Sequence, residues 1–279
     1  MEVFKTKAAI HQFVLSQKVL DKSIGLVPTM GALHAGHLSL LQESKKFNSV
    51  TIASIFVNPT QFNNPTDLQK YPRTLESDVL KLENSGCDAV FLPDENEMYG
   101  ENEIWEYNLG SIAEDLEGVH RPGHFKGVSQ VVYKLFECIP ADNAFFGQKD
   151  FQQFLCIKKM VSDFNIPIQL YCCPIVREND GLALSSRNIH LSEVDRKNAL
   201  VLSKTLNFIK KNYSYRDINS LMVDAKGMLN NQNGIELAYL EVRDRDTLSP
   251  SKSEHVENAV VLVAALVGST RLIDNMMLE

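Results

Sequence analysis

Short apolar runs that alternate with amphipathic segments constrain this chain more than any other feature. A helical pattern from Ala8 to Leu20 precedes a run at Ile24 to Val27. A helical stretch follows His37, then come a run from Val50 to Val57, a helical pattern from Leu75 to Ser85 and a run at Ala89 to Leu92. Strands this short and this uniformly apolar are buried on both faces, so the alternation predicts a parallel sheet with helices packed on either side. A strand from Ile168 to Val176 ends the pattern. Beyond it, amphipathic helices are expected at Glu193 to Lys211 and Asp217 to Asn230, followed by β-like runs at Leu237 to Val242 and Val260 to Leu266. The expected architecture is α/β: a Rossmann-like domain over residues 1–174 and a smaller α+β domain over residues 175–279. The polar Glu178-Asn179-Asp180-Gly181 stretch would be the hinge, and Asn212 to Asp217 and Ser249 to Glu257 would be surface loops.

The composition of the 279 residues, 44% of them hydrophobic, supports a core large enough for this arrangement. A formal net charge of −7 argues against an extended nucleic-acid surface. Cys87, Cys138, Cys156, Cys172 and Cys173 form no C-x-x-C and leave an odd number, which points to reduced, structural thiols and a cytoplasmic setting. No apolar span is long enough to cross a membrane, and no export signal is evident at the amino terminus.

The first strand leads into Val27-Pro28-Thr29-Met30-Gly31-Ala32-Leu33-His34-Ala35-Gly36-His37. A strand that turns through glycines into a helix is a place to hold an anion: Gly31 and Gly36 permit tight turning and close approach, and the first N–H groups of the helix carry partial positive charge. His34 and His37, three residues apart, could offer imidazoles to phosphate oxygens as charge builds on them, which suits nucleotidyl transfer at an α-phosphate. Alone, His-x-x-His equally describes a solvated polar loop. A zinc site is disfavoured because no third ligand stands nearby and His-Glu-x-x-His is absent.

Four further segments carry polar groups near the ends of apolar runs. Asn58 and Gln61, in Asn58-Pro59-Thr60-Gln61, would lie at the carboxyl edge of the second strand as neutral hydrogen-bonding groups suited to a small polyol acid. His120-Arg121-Pro122-Gly123-His124-Phe125-Lys126-Gly127 gathers cations and glycines before an apolar helical stretch. In Gly147-Gln148-Lys149-Asp150, Lys149 would place an ammonium near phosphates and Gly147 would allow close approach, with Gln153 one turn into the next helix facing an acid substrate beside Gln61. The spacing is not that of a P-loop. In Val176 to Asn188, Ser185, Ser186 and Arg187 would clamp phosphates, the guanidinium by bidentate donation. Taken singly, each of these segments also reads as an ordinary turn.

Together they form a recognisable series. His34-Ala35-Gly36-His37 resembles the His-x-Gly-His signature of the nucleotidyltransferase superfamily, and the longer Pro-Thr-Met-Gly-x-Leu-His-x-Gly-His form is similar to the pantoate–β-alanine ligase family. Tyr71-Pro72-Arg73-Thr74, Arg121-Pro122-Gly123-His124-Phe125, Gly147-Gln148-Lys149-Asp150, Ser185-Ser186-Arg187-Asn188 and Arg271-Leu272-Ile273-Asp274-Asn275 match the same family in the same order. The departures are His120 for an aromatic residue, Gln148 for glutamate and Leu184 for methionine. The last is a swap of similar volume, which should preserve a backbone contact to adenine.

The resemblance implies ATP-dependent condensation of (R)-pantoate with β-alanine through a pantoyl adenylate, releasing AMP and pyrophosphate. It implies that ATP is bound along Met30, Gly31, Ala32, Leu33, His34, Ala35, Gly36 and His37, at Gly147, Gln148, Lys149 and Asp150, and at Val176, Leu184, Ser185, Ser186 and Arg187. His34, His37, Lys149, Ser185, Ser186 and Arg187 would stabilise the transition state, and Gln61, Gln153 and Asn58 would bind pantoate and β-alanine. Mg²⁺ would arrive with ATP and keep water and phosphate ligands, so no dedicated metal site is expected. A homodimer is implied, with a carboxy-terminal lid and no nucleic-acid or membrane partner. Two rivals are an adenylyltransferase acting on a phosphate-bearing acceptor and a non-enzymatic nucleotide- or RNA-binding protein.

Overall fold

A computed structural model of the chain describes residues 1–101, 103–250 and 258–278. Of the expected Ser249 to Glu257 loop, residues 251–257 lie outside the described residues. The chain divides into two compact units. One holds Met1–Gly147 and Gln152–Pro174, and the other holds Gln148–Phe151 with the described residues from Ile175 onward.

In the first unit the strands are β1 (Glu2–Phe4), β2 (Ile24–Thr29), β3 (Val50–Ile55), β4 (Ala89–Phe91), β5 (Asn143–Gly147) and β6 (Gln169–Cys173). Its helices are α1 (Lys7–Val19), α2 (Ala35–Phe47), α3 (Pro65–Lys70), α4 (Leu75–Asn84), α5 (Glu95–Met98), α6 (Glu117–His120), α7 (His124–Cys138) and α8 (Phe151–Asp163), whose first residue is grouped with the second unit. Among the described residues the strands form one parallel sheet in the order β1-β4-β3-β2-β5-β6. Side chains alternate across it as a pleated strand requires. Ile24, Leu26, Ile52, Phe91 and Phe146 pack with Ile10 and Val14 of α1, Val128 and Leu135 of α7, and Ile157 and Met160 of α8. Val27, Ala53, Val90, Phe145 and Cys173 face the other way, against Leu40 and Leu41 of α2 and Leu82 of α4. The expected double-sided parallel sheet is therefore present.

Two strands went unread in the sequence, Thr270–Leu278 of the second unit and the first strand of the chain. Glu2-Val3-Phe4 pairs with β4 at the sheet edge, and its three residues are too few to show a period. The chain order β2-β3-β4 runs one way from β2 while β5-β6 runs the other, so the topological switch lies between β2 and β5, where open α/β sheets bind ligands beyond the strands' carboxyl ends.

The second unit has helices α9 (Glu193–Asn212) and α10 (Ile218–Asn230) on an antiparallel sheet of β7 (Ile235–Asp244), β8 (Ala259–Val267) and β9 (Thr270–Leu278). Leu202, Leu206 and Ile209 of α9 and Leu221, Ala225 and Leu229 of α10 meet Val261, Val263 and Ala265 of β8. The sequence boundary after residue 174 leaves Gln148–Phe151 with the first unit, but the packing groups them with the second. The reason is polar: Asn275 of β9 donates from Nδ2 to the carbonyls of Gln148 and Lys149 at 2.9 and 3.0 Å, and Gln148 Nε2 donates to Asn275 Oδ1 at 3.0 Å.

Ile52, in a central strand and fully buried, gives the direct test of this core. Replacing Ile52 by alanine should lower unfolding free energy by about 2–5 kcal/mol in urea titration, the usual cost of a core cavity. A loss under about 0.5 kcal/mol, typical of a surface site, would contradict the packing.

Candidate active site

The loop after β2 is shaped by a carboxylate from a distant helix. Gly31 has φ +81° and Ala32 φ +50°, both in the left-handed region. Gly31 N–H turns back to the Thr29 hydroxyl at 3.2 Å, and the next two N–H groups turn elsewhere. Asp78 of α4, 1% exposed, receives those of Ala32 and Leu33, each at 2.8 Å, together with the Thr74 hydroxyl at 3.0 Å. Lys81 donates to the Leu33 carbonyl at 2.8 Å, and the Leu33 side chain is buried in the core. Leu33 is thus part of the loop's scaffold.

The start of α2 differs from the open anion site expected from the sequence. Gly36 N–H donates to His34 Nδ1 at 3.1 Å, His34 N–H to His37 Nδ1 at 3.3 Å, and the N–H groups of His37 and Leu38 to the His34 carbonyl. The two histidines form a reciprocal capping box, and these helix N–H groups are already satisfied. Both imidazoles take part in the box through Nδ1. Each Nδ1 accepts a hydrogen bond, so the neutral ring carries its proton on Nε2. The rings lie 4.1 Å apart between centroids, two donors side by side.

The paired amides after β3 divide into a holder and a presenter. Asn58 is 0% exposed. Its Nδ2 donates to Gly127 O and to Gln61 Oε1, both at 3.1 Å, while its Oδ1 accepts from Thr60 N–H, the Thr60 hydroxyl and the Tyr99 hydroxyl. With both ends of its amide engaged, Asn58 holds Gln61. Gln61 Nε2 faces Met30 Sδ at 2.9 Å. The Gln61 carbonyl accepts from His124 Nδ1 at 2.9 Å, which places a proton on that nitrogen, opposite to the His34 and His37 tautomers. Gly127 is required here, because a Cβ would run into the Thr60 carbonyl.

Gln153 is half-buried on α8. Its neighbour Gln152 is buried and structural, donating to the carbonyls of Ile112 and Asp115 and accepting from Glu117 N–H. Gly147 ends β5, and among the described residues nothing lies within 4 Å of where its Cβ would stand. Protein packing alone does not demand a glycine there, which leaves room for a ligand.

Within the second unit, Lys149 lines a small hollow with Ser185, Asn188 and Asp274. Its ammonium lies 3.7 Å from Asp150 Oδ1. Asp274, 4% exposed, is paired bidentately with Arg177 at 2.6 and 2.9 Å, and Arg177 also reaches the Gly181 carbonyl. Val176 and Leu184 join through a backbone bond from Leu184 N–H to Val176 O, which closes the 176–184 hairpin. The Glu178 to Gly181 stretch read as a hinge forms the tip of this hairpin, and Arg196 grips Glu178 and Asp180. Ser185 caps the short 3₁₀ helix Ser186–His190 by accepting from Arg187 N–H at 3.2 Å, so Ser186 and Arg187 occupy its first turn.

Asp78 and Tyr99 escaped sequence reasoning, and Asn275 stood in a matched segment without a role, because their partners lie far along the chain. The one local signal was Thr74 and Asp78 at helical spacing, four residues apart. Burial pushes the thiols of Cys87 and Cys173 up to about 11 and those of Cys138 and Cys156 up to about 12. None of the four is a nucleophile at neutral pH.

A parallel sheet that opens at its switch point onto a His-x-Gly-His capping box is the α/β class of protein that binds its ligand beyond the carboxyl ends of the strands. The pantoate-beta-alanine ligase family model matches residues 2–277, and the chain belongs to that family. It is 47% identical to pantothenate synthetase of Koribacter versatilis over 100% of this chain and 96% of that protein. It is 42% identical to pantothenate synthetase of Porphyromonas gingivalis over the full length of both. The crystal structure of pantothenate synthetase from Thermus thermophilus superposes with a TM-score of 0.92 at 36% identity, covering 100% of this chain and 99% of that one. A pantoate-β-alanine ligase from Francisella tularensis, complexed with β-γ ATP and β-alanine, matches at TM-score 0.82 and 36% identity, covering 99% and 97%.

Three outcomes test the loop clamp and the buried thiols. Asp78→Ala should cost about 1–3 kcal/mol for each buried N–H left without an acceptor, read by urea denaturation, and unchanged stability would deny the clamp. A thiol reagent at pH 8 should leave Cys87, Cys138, Cys156 and Cys173 unmodified in the native enzyme and label all five cysteines after unfolding. Their raised values also mean that stability falls as pH climbs from 9 toward 11, where the unfolded thiols ionise first.

Proposed function

We infer that this chain is an AMP-forming ligase that condenses (R)-pantoate with β-alanine, driven by ATP. The observation that carries this reading is full-length membership of the pantoate-β-alanine ligase family in a chain that holds the His34 and His37 capping box and the Asn58–Gln61 amide pair in ordered geometry. A pantoate carboxylate oxygen attacks the α-phosphorus of ATP. The bond from that phosphorus to the β-bridging oxygen breaks, and pyrophosphate leaves. The amine of β-alanine then attacks the carbonyl carbon of the pantoyl adenylate, the acyl–oxygen bond breaks, AMP departs and the nitrogen loses a proton.

Residue roles in this reaction are assigned by chemistry. The Nε2–H groups of His34 and His37 stabilise charge developing on the α-phosphate, a preorganised electrostatic effect. Lys149, Ser185, Ser186 and Arg187 bind the remaining phosphates, with Arg187 offering bidentate donation. Gln61 and Gln153 orient pantoate through neutral donors, which leaves its carboxylate nucleophilic. Asn58 acts through Gln61, and Leu33 through the backbone of its loop. Mg²⁺ enters with ATP and neutralises phosphate charge. Such an ion is carried by phosphate and water ligands. A homodimer in the cytoplasm belongs to the same reading and rests on family resemblance alone. The rival that transfers AMP to a phosphate-bearing acceptor would need no amine.

Pyrophosphate release from Mg-ATP, with pantoate and β-alanine omitted in turn, separates the two. Sustained AMP and pyrophosphate only with both substrates supports the ligase, and turnover indifferent to β-alanine would overturn it. His37→Ala and Lys149→Ala should each lose about 10²- to 10³-fold in kcat with the fold intact, the usual effect of deleting a preorganised donor. Full turnover would remove that residue from the mechanism. Gln61→Ala should raise the pantoate KM selectively, and equal shifts for ATP would contradict its role.

A further inference from the structure

Gln61 is symmetrical in outline but not in chemistry: one end of its amide donates and the other accepts, and a half-turn about its last torsion exchanges them. The protein settles this choice through a chain of contacts. Gly127 O can only accept, so the Asn58 Nδ2 group must face it at 3.1 Å. Asn58 Oδ1 then faces the opposite side, toward three donors. Two are local, Thr60 N–H at 3.3 Å and the Thr60 hydroxyl at 3.0 Å. The third and shortest, at 2.6 Å, is the hydroxyl of Tyr99, 41 residues away along the chain just after α5. With Asn58 held this way, its second Nδ2 proton goes to Gln61 Oε1, and Gln61 Nε2 is left facing Met30 Sδ. A thioether is a weak acceptor, so a substrate hydroxyl or carboxylate displaces it at little cost.

We propose that Tyr99 is a positioning residue for the acid substrate: Gly127 O and Thr60 N–H set which way the Asn58 amide faces, and the Tyr99 hydroxyl, its shortest contact, holds that amide in place so that Gln61 keeps its donor end toward the ligand. The inference deepens the proposed ligase reading and rests on the role given there to Gln61. Tyr99 suits the task. Its ring packs on Phe56 with centroids 6.2 Å apart and lies 5.4 Å from the Lys134 ammonium, which is held by Glu103. These contacts fix the ring independently of the hydroxyl. Burial also pushes the phenol up to about 12, so it stays a donor throughout the working pH range.

The test is a double-mutant cycle in the full-length enzyme using Tyr99→Phe and Gln61→Ala, with KM measured separately for pantoate, ATP and β-alanine. Tyr99→Phe removes one oxygen and keeps the ring, so the fold should hold, checked by thermal melting. The expected result is a pantoate KM raised about two- to tenfold, the worth of one neutral hydrogen bond, with the other two KM values unchanged. In the Gln61→Ala background, Tyr99→Phe should add nothing, because the group it positions is gone. A purely structural role would give the same effect in both backgrounds, or would shift all three KM values together. Either result, or no effect in the parent enzyme, overturns the relay while the ligase reading stands. If Gln61→Ala itself leaves the pantoate KM unchanged, the assignment of Gln61 fails and the relay falls with it.

Discussion

The first unit is organised by the burial of a parallel sheet on both faces. With α1, α7 and α8 covering one face and α2 and α4 the other, the central strands β2, β3 and β4 have no solvated side on which to carry polar chemistry. Polar work is confined to the loops beyond the carboxyl ends. Those loops still contain backbone groups that need partners wherever water is excluded. The loop after β2 meets this demand by importing a carboxylate, Asp78, from the far end of the next crossover.

The same division recurs in both units. A buried polar side chain with every hydrogen bond satisfied holds a second group that is left to act. Asp78 sets the loop that leads to His34 and His37, Asn58 sets Gln61, and Asn275 sets the backbone of Gln148 and Lys149. Fully satisfied buried networks of this kind are rigid, and partial disruption is costly. Gln148 belongs to this scaffold: its side chain donates to Asn275 Oδ1, a bond that a glutamate carboxylate could not donate.

How far the sequence could be read depended on whether a feature was local. Strands β2, β3 and β4 and helices α4, α9 and α10 were legible to within a few residues, because their periodicity is written in consecutive positions. The presenting groups His34, His37, Gln61 and Lys149 stood in recognisable motifs. Their holders were not legible: Asp78 lies 45 residues from Leu33, Tyr99 41 from Asn58, and Asn275 126 from Lys149. Local reasoning also gave the N–H groups at the start of α2 to an anion, whereas that of Gly36 goes to His34 Nδ1 and those of His37 and Leu38 go to the His34 carbonyl. That capping depends on side-chain rotamers, which spacing alone does not specify.

The proposed chemistry turns on the carboxylate of one substrate attacking the α-phosphorus beside the His34 and His37 pair. Oxygen transfer tests this most directly. Turnover with pantoate labelled with ¹⁸O in both carboxylate oxygens should deliver one labelled oxygen to AMP and leave the other in the amide product, read by mass spectrometry. Label in pyrophosphate, or AMP without label, would contradict an acyl adenylate and the role given to the histidine pair.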